Sequence, residues 1–257
     1  MSRSLWFEIF KPNPKAVMRL FCLHYAGGSA SFYRSFVSSL PDNVELIAVQ
    51  LPGRERRLSE VPYRQMKPLI EELSEAIIPM LDRPYSIFGH SMGALVGFEL
   101  IRSLRLKGEL EPYAFFASGH RAPHLSRSKP AIHNLPDNEF VQALIDYDAR
   151  IPKEILEDKE TLNVFLPYLR SDFEVCETYA YRIDNPLSCR IYAYGGSEDD
   201  AVNFTQVTSW NKQTTEHFYA KEFPGGHFFV DTSKQMVLQE ISQILNDADI
   251  KFIYNFN

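Results

Sequence analysis

Short apolar runs alternate along the chain with longer stretches whose apolar residues recur at helical spacing. Runs at 19–23, 46–50, 85–88, 114–118, 190–194 and 218–223 predict strands. Helical patterns lie between them near 29–40, 68–81, 92–106, 202–212 and 234–245. Most of the strand runs are apolar at successive positions, as in Phe115-Phe116-Ala117, so both faces need cover. That predicts an α/β class protein, with a mostly parallel sheet flanked by helices. One segment breaks the alternation. From Leu135 to about Arg182 only helical signals occur: Asp137 begins one amphipathic stretch, and 154–181 holds one or two more. Such an insertion is expected to form a lid at about 135–182, within a single domain spanning 1–257.

Composition narrows the classes. With 257 residues, 45% hydrophobic and 23% charged, the chain has the makeup of a globular protein with a sizeable core. No run approaches the roughly 18 apolar residues of a membrane helix. The N-terminal Ser4-Leu5-Trp6-Phe7-Glu8-Ile9-Phe10 is interrupted by a glutamate and lacks a small-residue cleavage site. Cys22, Cys176 and Cys189 are odd in number and far apart, which predicts neither a disulfide framework nor a metal cluster and favours the cytoplasm. No cofactor or metal is expected. A net charge of −6 argues against a nucleic-acid partner. Glycine is scarce, at 12 residues, and almost all of it is grouped, which marks sharp turns or close approaches. The isolated Gly108 is expected to cap the helix over 92–106, and Gly97 to let that helix pack closely on the sheet.

One glycine group carries chemistry. Tyr85-Ser86-Ile87-Phe88 runs into Gly89-His90-Ser91-Met92-Gly93 and then into a helical pattern, which is G-x-S-x-G in its required strand–turn–helix setting. A serine at the tip of such a turn projects its oxygen above the sheet. The following helix N-terminus aims N–H groups and partial positive charge at the same place. Ser91 is therefore the candidate nucleophile.

A serine needs a base, and usually a carboxylate to hold that base. In hydrolases of this architecture the order is serine, acid, histidine. His24, His120, His124 and His133 precede the acid candidates, His90 lies inside the turn with its side chain expected to point away, and His217 begins a strand. His227 follows Phe223-Pro224-Gly225-Gly226 just past the last strand and is the candidate base. The acid should follow the strand over 190–194. There Glu198, Asp199 and Asp200 stand together, and spacing alone does not choose between them.

These motifs together resemble the type II thioesterases, stand-alone editing enzymes of polyketide and nonribosomal peptide assembly lines. The resemblance runs from about Leu20 to about Leu245. It rests on Leu23-His24-Tyr25-Ala26-Gly27-Gly28, Gln50-Leu51-Pro52-Gly53-Arg54-Glu55-Arg56-Arg57, Phe88-Gly89-His90-Ser91-Met92-Gly93, Ser118-Gly119-His120-Arg121-Ala122-Pro123, the turn 195–199 and Gly225-Gly226-His227. It implies an α/β-hydrolase fold and a triad of Ser91, Asp199 and His227. It also implies an oxyanion hole made by the backbone N–H groups of Ala26 and Met92, in keeping with Met92 following the nucleophile and with Gly27-Gly28 letting the first loop approach the reacting carbonyl. His24-Tyr25 departs from the family's usual Pro-His, which bears on the shape of the first loop. The implied substrate is an acyl group on the phosphopantetheine arm of an acyl- or peptidyl-carrier protein domain, and the protein is expected to be a monomer.

Carrier domains are generally acidic, so docking on this acidic chain calls for a local basic patch. Arg54, Arg56, Arg57, Arg121, Arg127 and Lys129 are its candidates, with a structural ion pair as the other reading for Arg54. Phe140, Phe165, Tyr168 and Phe173 are expected either to line the acyl chamber or to pack the lid. Other readings are a medium-chain acyl-carrier thioesterase of fatty-acid synthesis, a carboxylesterase or lipase, a terminal thioesterase of the kind fused to a synthetase, and a non-catalytic binding module.

Overall fold

The computed structural model describes residues 4–127, 129–146 and 156–248. Seven strands form one sheet: β1 (Phe7–Glu8), β2 (Met18–Leu23), β3 (Val44–Val49), β4 (Tyr85–His90), β5 (Ala114–Ser118), β6 (Arg190–Gly196) and β7 (Phe218–Phe223). Their order is β1-β3-β2-β4-β5-β6-β7. All pairs are parallel except β1 with β3. Central strands are buried along nearly their whole length. Their side chains divide between two cores. Phe21, Ile47, Ile87, Phe115 and Ile191 meet helices α1 (Met66–Ile77) and α2 (Met92–Leu106) on one face. Leu20, Leu46, Phe88, Phe116 and Tyr194 meet the segment 30–39 and the C-terminal helix Lys234–Asn246 on the other.

Several elements depart from the sequence reading, each for a local reason. β1 has only two residues, too few to carry a period, and is recruited by pairing Phe7 with Val49. The segment read as a helix over 29–40 is a 3-10 helix, Ala30–Ser39, whose buried residues Ala30, Tyr33 and Phe36 fall at the three-residue spacing of that helix. Helix α1 starts two residues before the expected Pro68. That proline occupies the first turn, where a missing N–H costs nothing. The helix read over 202–212 is set by a capping box between Asn203 and Gln206, and passes from α-helix at Phe204–Thr208 to 3-10 helix at Ser209–Gln213.

Between β5 and β6 lie α3 (Asp137–Asp146) and α4 (Lys159–Glu177). They enclose a small core of their own around Phe140, Leu144, Leu166 and Leu169. The expected start of the second helical stretch at 154 lies outside the described residues.

Connections diverge at β2. The chain leaves β2 for β3 on one side and returns to β4 on the other, so the loops after β2 and β4 open side by side with Leu23 beside Gly89. A divergence of this kind at the carboxyl ends of parallel strands leaves a crevice suited to a ligand.

Candidate active site

Ser91 joins β4 to α2 with φ 54° and ψ −118°, a backbone conformation that stores strain and holds the side chain above the strand. Its neighbours at two residues' distance must be glycine. A Cβ on Gly89 would lie 2.1 Å from the Gly93 carbonyl oxygen, and one on Gly93 would lie 2.1 Å from that of Leu23. The Ser91 N–H donates to the Ser118 carbonyl at 2.8 Å, which ties the turn to the adjacent strand.

His227 lies between Ser91 and Asp199. Its Nε2 is 3.0 Å from Ser91 Oγ and its Nδ1 is 2.8 Å from Asp199 Oδ2. With the proton on Nδ1, that atom donates to the carboxylate and Nε2 accepts from the serine hydroxyl. The other Asp199 oxygen accepts from the N–H groups of Ala201, at 2.8 Å, and Val202, at 3.1 Å. Glu198 and Asp200, which spacing could not set aside, are exposed. The two loops are joined by backbone bonds from Ser197 N–H to Phe223 and from Glu198 N–H to Gly225, both 2.9 Å. His90 is buried beneath this array, 5.3 Å from the His227 ring between centroids, with Nδ1 3.0 Å from Ser118 Oγ.

Ala26 and Met92 line the same cavity as Ser91 and His227. Among the described residues neither backbone N–H donates to a protein acceptor. The loop that carries Ala26 is fixed from both sides. Gly28 N–H donates to the Tyr25 carbonyl at 2.9 Å, and Gly27 N–H donates to Asp172 Oδ2 at 2.8 Å. Asp172, on α4, also receives two hydrogen bonds from Arg54, at 2.6 and 2.7 Å. Arg54 in turn donates to the Gly28 carbonyl at 3.1 Å and lies 4.7 Å from the Tyr168 ring centroid. The Tyr25 ring packs against Phe32 and Phe228, with centroids 5.2 and 4.9 Å away, so the His24-Tyr25 departure is absorbed by aromatic packing.

Asp172 was not singled out from the sequence. The available signal was a carboxylate inside the apolar stripe Phe165, Leu169 and Cys176 of a helix, where a charge needs a partner.

The basic patch requires correction. Arg54 is the buried partner of Asp172, Arg56 pairs with Glu8 at 2.7 Å, and Arg57 pairs with Glu60 at 2.6 Å while covering the Trp6 ring. Those three are thus spent on contacts away from the cavity beside Ser91, and Arg127 is paired as well, with Glu177 at 2.6 Å. Arg121, Arg127 and Lys129 instead line the cavity beside Ser91. Of the aromatics on the insertion, Phe173 lines that cavity, Phe140 is in the small core, and Phe165 packs on Tyr168 with centroids 4.6 Å apart.

The cavity has a volume of about 160 Å³. A larger one of about 480 Å³ between α1, α2 and the segment after α4 shares no lining residue with it. Two buried histidines lie just past strands, His24 after β2 and His120 after β5. Burial, with Arg54 nearby, lowers the His24 pKa to about 4, and burial, with Arg121 nearby, lowers that of His120 to about 3. Both rings are neutral at physiological pH.

The chain is similar to known proteins in sequence and in fold. A thioesterase-domain profile matches residues 18–246. The gramicidin S biosynthesis protein GrsT of Aneurinibacillus migulanus is 39% identical over 91% of this chain and 91% of its own length. A protein named linear gramicidin dehydrogenase LgrE, from Brevibacillus parabrevis, is 41% identical over 95% of this chain and 94% of its own. Among solved structures, the RedJ thioesterase from the prodiginine biosynthetic pathway of Streptomyces coelicolor superposes with a TM-score of 0.85 at 35% identity, covering 91% of this chain and 92% of that one.

Proposed function

The chain belongs to the thioesterase family, a serine hydrolase of thioesters on the α/β-hydrolase fold, and on that premise we propose that Ser91, His227 and Asp199 form a catalytic triad that frees acyl groups from the phosphopantetheine arm of carrier-protein domains. The observation that carries this reading is His227 standing within hydrogen-bond distance of both Ser91 and Asp199 at the crevice of the sheet.

In the first step His227 Nε2 takes the Ser91 proton as Oγ attacks the thioester carbonyl, and the negative charge moves to the carbonyl oxygen. The N–H groups of Ala26 and Met92 receive that oxygen, each worth on the order of a hundredfold or more in rate if aligned. Collapse expels the thiolate, which takes the proton from His227. Water then gives a proton to His227 as its oxygen attacks the acyl-serine; when the ester bond breaks, His227 returns that proton to Ser91 Oγ and the carboxylic acid leaves. Asp199 keeps the imidazole in the required tautomer and stabilises it while it is charged. The insertion bearing α3 and α4 acts as a lid over this chamber.

Relatives named for gramicidin S and prodiginine biosynthesis support an editing role on assembly lines, where aberrant or stalled acyl units are removed from carriers. The name of LgrE would suggest a redox reaction. A dinucleotide-binding chain would be expected to carry G-x-G-x-x-G after its first parallel strand, whereas this one reads His24-Tyr25-Ala26-Gly27-Gly28-Ser29. Three unpaired cysteines suit a reducing cytoplasm. Among the described residues no helix is long and apolar enough to cross a membrane.

Hydrolysis of acyl-carrier substrates from acetyl to medium-chain, beside the same acyl groups on small thiols and on oxygen esters, tests the reading. Preference for carrier-bound short acyl groups is expected. Preference for medium-chain groups or for oxygen esters would favour the fatty-acid thioesterase or the carboxylesterase instead. Ser91→Ala should abolish turnover and labelling by a fluorophosphonate; hydrolysis that survives it would sink the triad.

A further inference from the structure

Beside the reacting serine stand two guanidinium groups with no task in the hydrolytic cycle. Arg121 lies three residues past the end of β5, is half-buried, and lines the Ser91 cavity. Among the described residues its guanidinium makes one hydrogen bond, from Nε to the Leu125 carbonyl at 3.2 Å, and pairs with no carboxylate. Burial lowers its pKa, and the Arg127 charge acts in the same direction, while Cys176 and Tyr179 raise it. A guanidinium so placed still carries its charge at neutral pH. Arg127 donates from Nη1 to Glu177 at 2.6 Å, while its Nη2 is buried without a hydrogen-bond partner among the described residues.

Glu177 does not satisfy the remaining donors. Its two oxygens already accept from Arg127, from the N–H groups of Ile132 and His133, and from the His133 ring at 2.6 Å. Lys129 adds a further cation on the exposed rim of the same cavity. Buried N–H donors without an acceptor are costly, and the cost is removed when a ligand brings one.

We propose that Arg121 and Arg127 form an oxyanion-binding subsite inside the substrate chamber, which takes an anionic group of the thioester itself. The inference rests on the hydrolytic reading above and specifies its substrate class. A planar guanidinium edge matches a carboxylate or phosphate through paired hydrogen bonds. A carrier-bound thioester offers two such groups: a carboxylate at the distal end of the acyl chain, or the phosphate of the arm. That phosphate lies about a dozen bonds from the sulfur, roughly 14 Å when extended. It would approach by way of the Lys129 rim, whereas an acyl carboxylate would approach from the interior.

Two substrate pairs separate these sources: butyryl against succinyl on N-acetylcysteamine, and butyryl-pantetheine against butyryl-phosphopantetheine. Rates are corrected with the Ser91→Ala protein as background. In one pair kcat/KM for the anionic member should exceed that of the neutral member by about tenfold or more, and the ratio should shrink with added salt. Arg121→Gln should bring that ratio towards one, and Arg121→Lys should retain part of it. A ratio near one in both pairs for the unaltered protein, or a high ratio that survives Arg121→Gln, overturns the subsite. The unaltered protein with salt decides the matter even if a variant fails to fold. Turnover of the neutral thioesters with no anion preference leaves the hydrolytic reading intact; absence of any turnover removes both.

Discussion

At position 199 one carboxylate does two things with separate oxygens. Oδ1 is held by two backbone N–H groups of the following turn, and Oδ2 is left to face His227. Backbone donors fix the side chain without competing for the histidine. Asp199→Asn should keep the fold and lower kcat by about ten-thousandfold, because an amide stabilises the wrong imidazole tautomer. Asp200→Asn, on an exposed side chain one residue on, should leave kcat within about twofold. Steady-state kinetics on one small thioester compares the two, and equal losses would return the acid assignment to its open state. The same pair of residues marks where sequence reasoning ran out. Adjacent positions differ by a single residue in their distance from the strand and from His227, so spacing does not separate them, whereas the turn buries one and exposes the other.

Among the elements, α4 is the one whose influence reaches farthest beyond its own packing. Asp172 joins it to the loop after β2 through Gly27 and to the segment after β3 through Arg54, with both members of the ion pair nearly inaccessible to water. Removing one partner strands a buried charge. Asp172→Asn should therefore cost about 3 kcal/mol or more and lower kcat as the Ala26 loop loses its tether. The double variant Arg54→Met with Asp172→Leu separates the two effects. An apolar pair should recover much of the melting temperature but not the acceptor for Gly27 N–H, so kcat should stay low. Full recovery of kcat in the double variant would confine Asp172 to stability. This link could not be read in advance, because it joins segments far apart in the sequence, whereas β5, α2 and β7 were legible to the residue from apolar runs and turn signals. The 3-10 helix at Ala30–Ser39 lay between those cases: its buried positions were visible, but a three-residue spacing passes for part of a helical one.

For the whole molecule, pH acts on stability through histidines that never join the chemistry. Unfolded, each titrates near 6.5; folded, His24 titrates at about 4 and His120 at about 3. Between these limits the unfolded chain binds protons that the native one refuses. Their contribution is complete above pH 6.5 and is lost as pH falls towards the folded values. Near pH 5 these two groups give a slope of roughly 2–3 kcal/mol per pH unit. Urea midpoints should fall from pH 7 to pH 5, and fall less in His120→Asn. Midpoints unchanged over that range would contradict the burial of both rings. The sheet's order also explains why so much of the site could be read from sequence. Ser91, Asp199 and His227 each follow the carboxyl end of a strand by at most four residues, so a parallel sheet brings them to one edge whatever the intervening segments do.

The Arg54–Asp172 pair has a further consequence for anyone who wishes to exchange insertions between such enzymes. The segment between β5 and β6 is not a detachable cover, because it supplies the carboxylate that receives Gly27 N–H. A graft chosen for the shape of its chamber would carry over the new walls but leave the buried Arg54 without its carboxylate. To work on this sheet, the transplanted helix has to bring an acid to the place of Asp172, or the recipient has to give up its arginine as well.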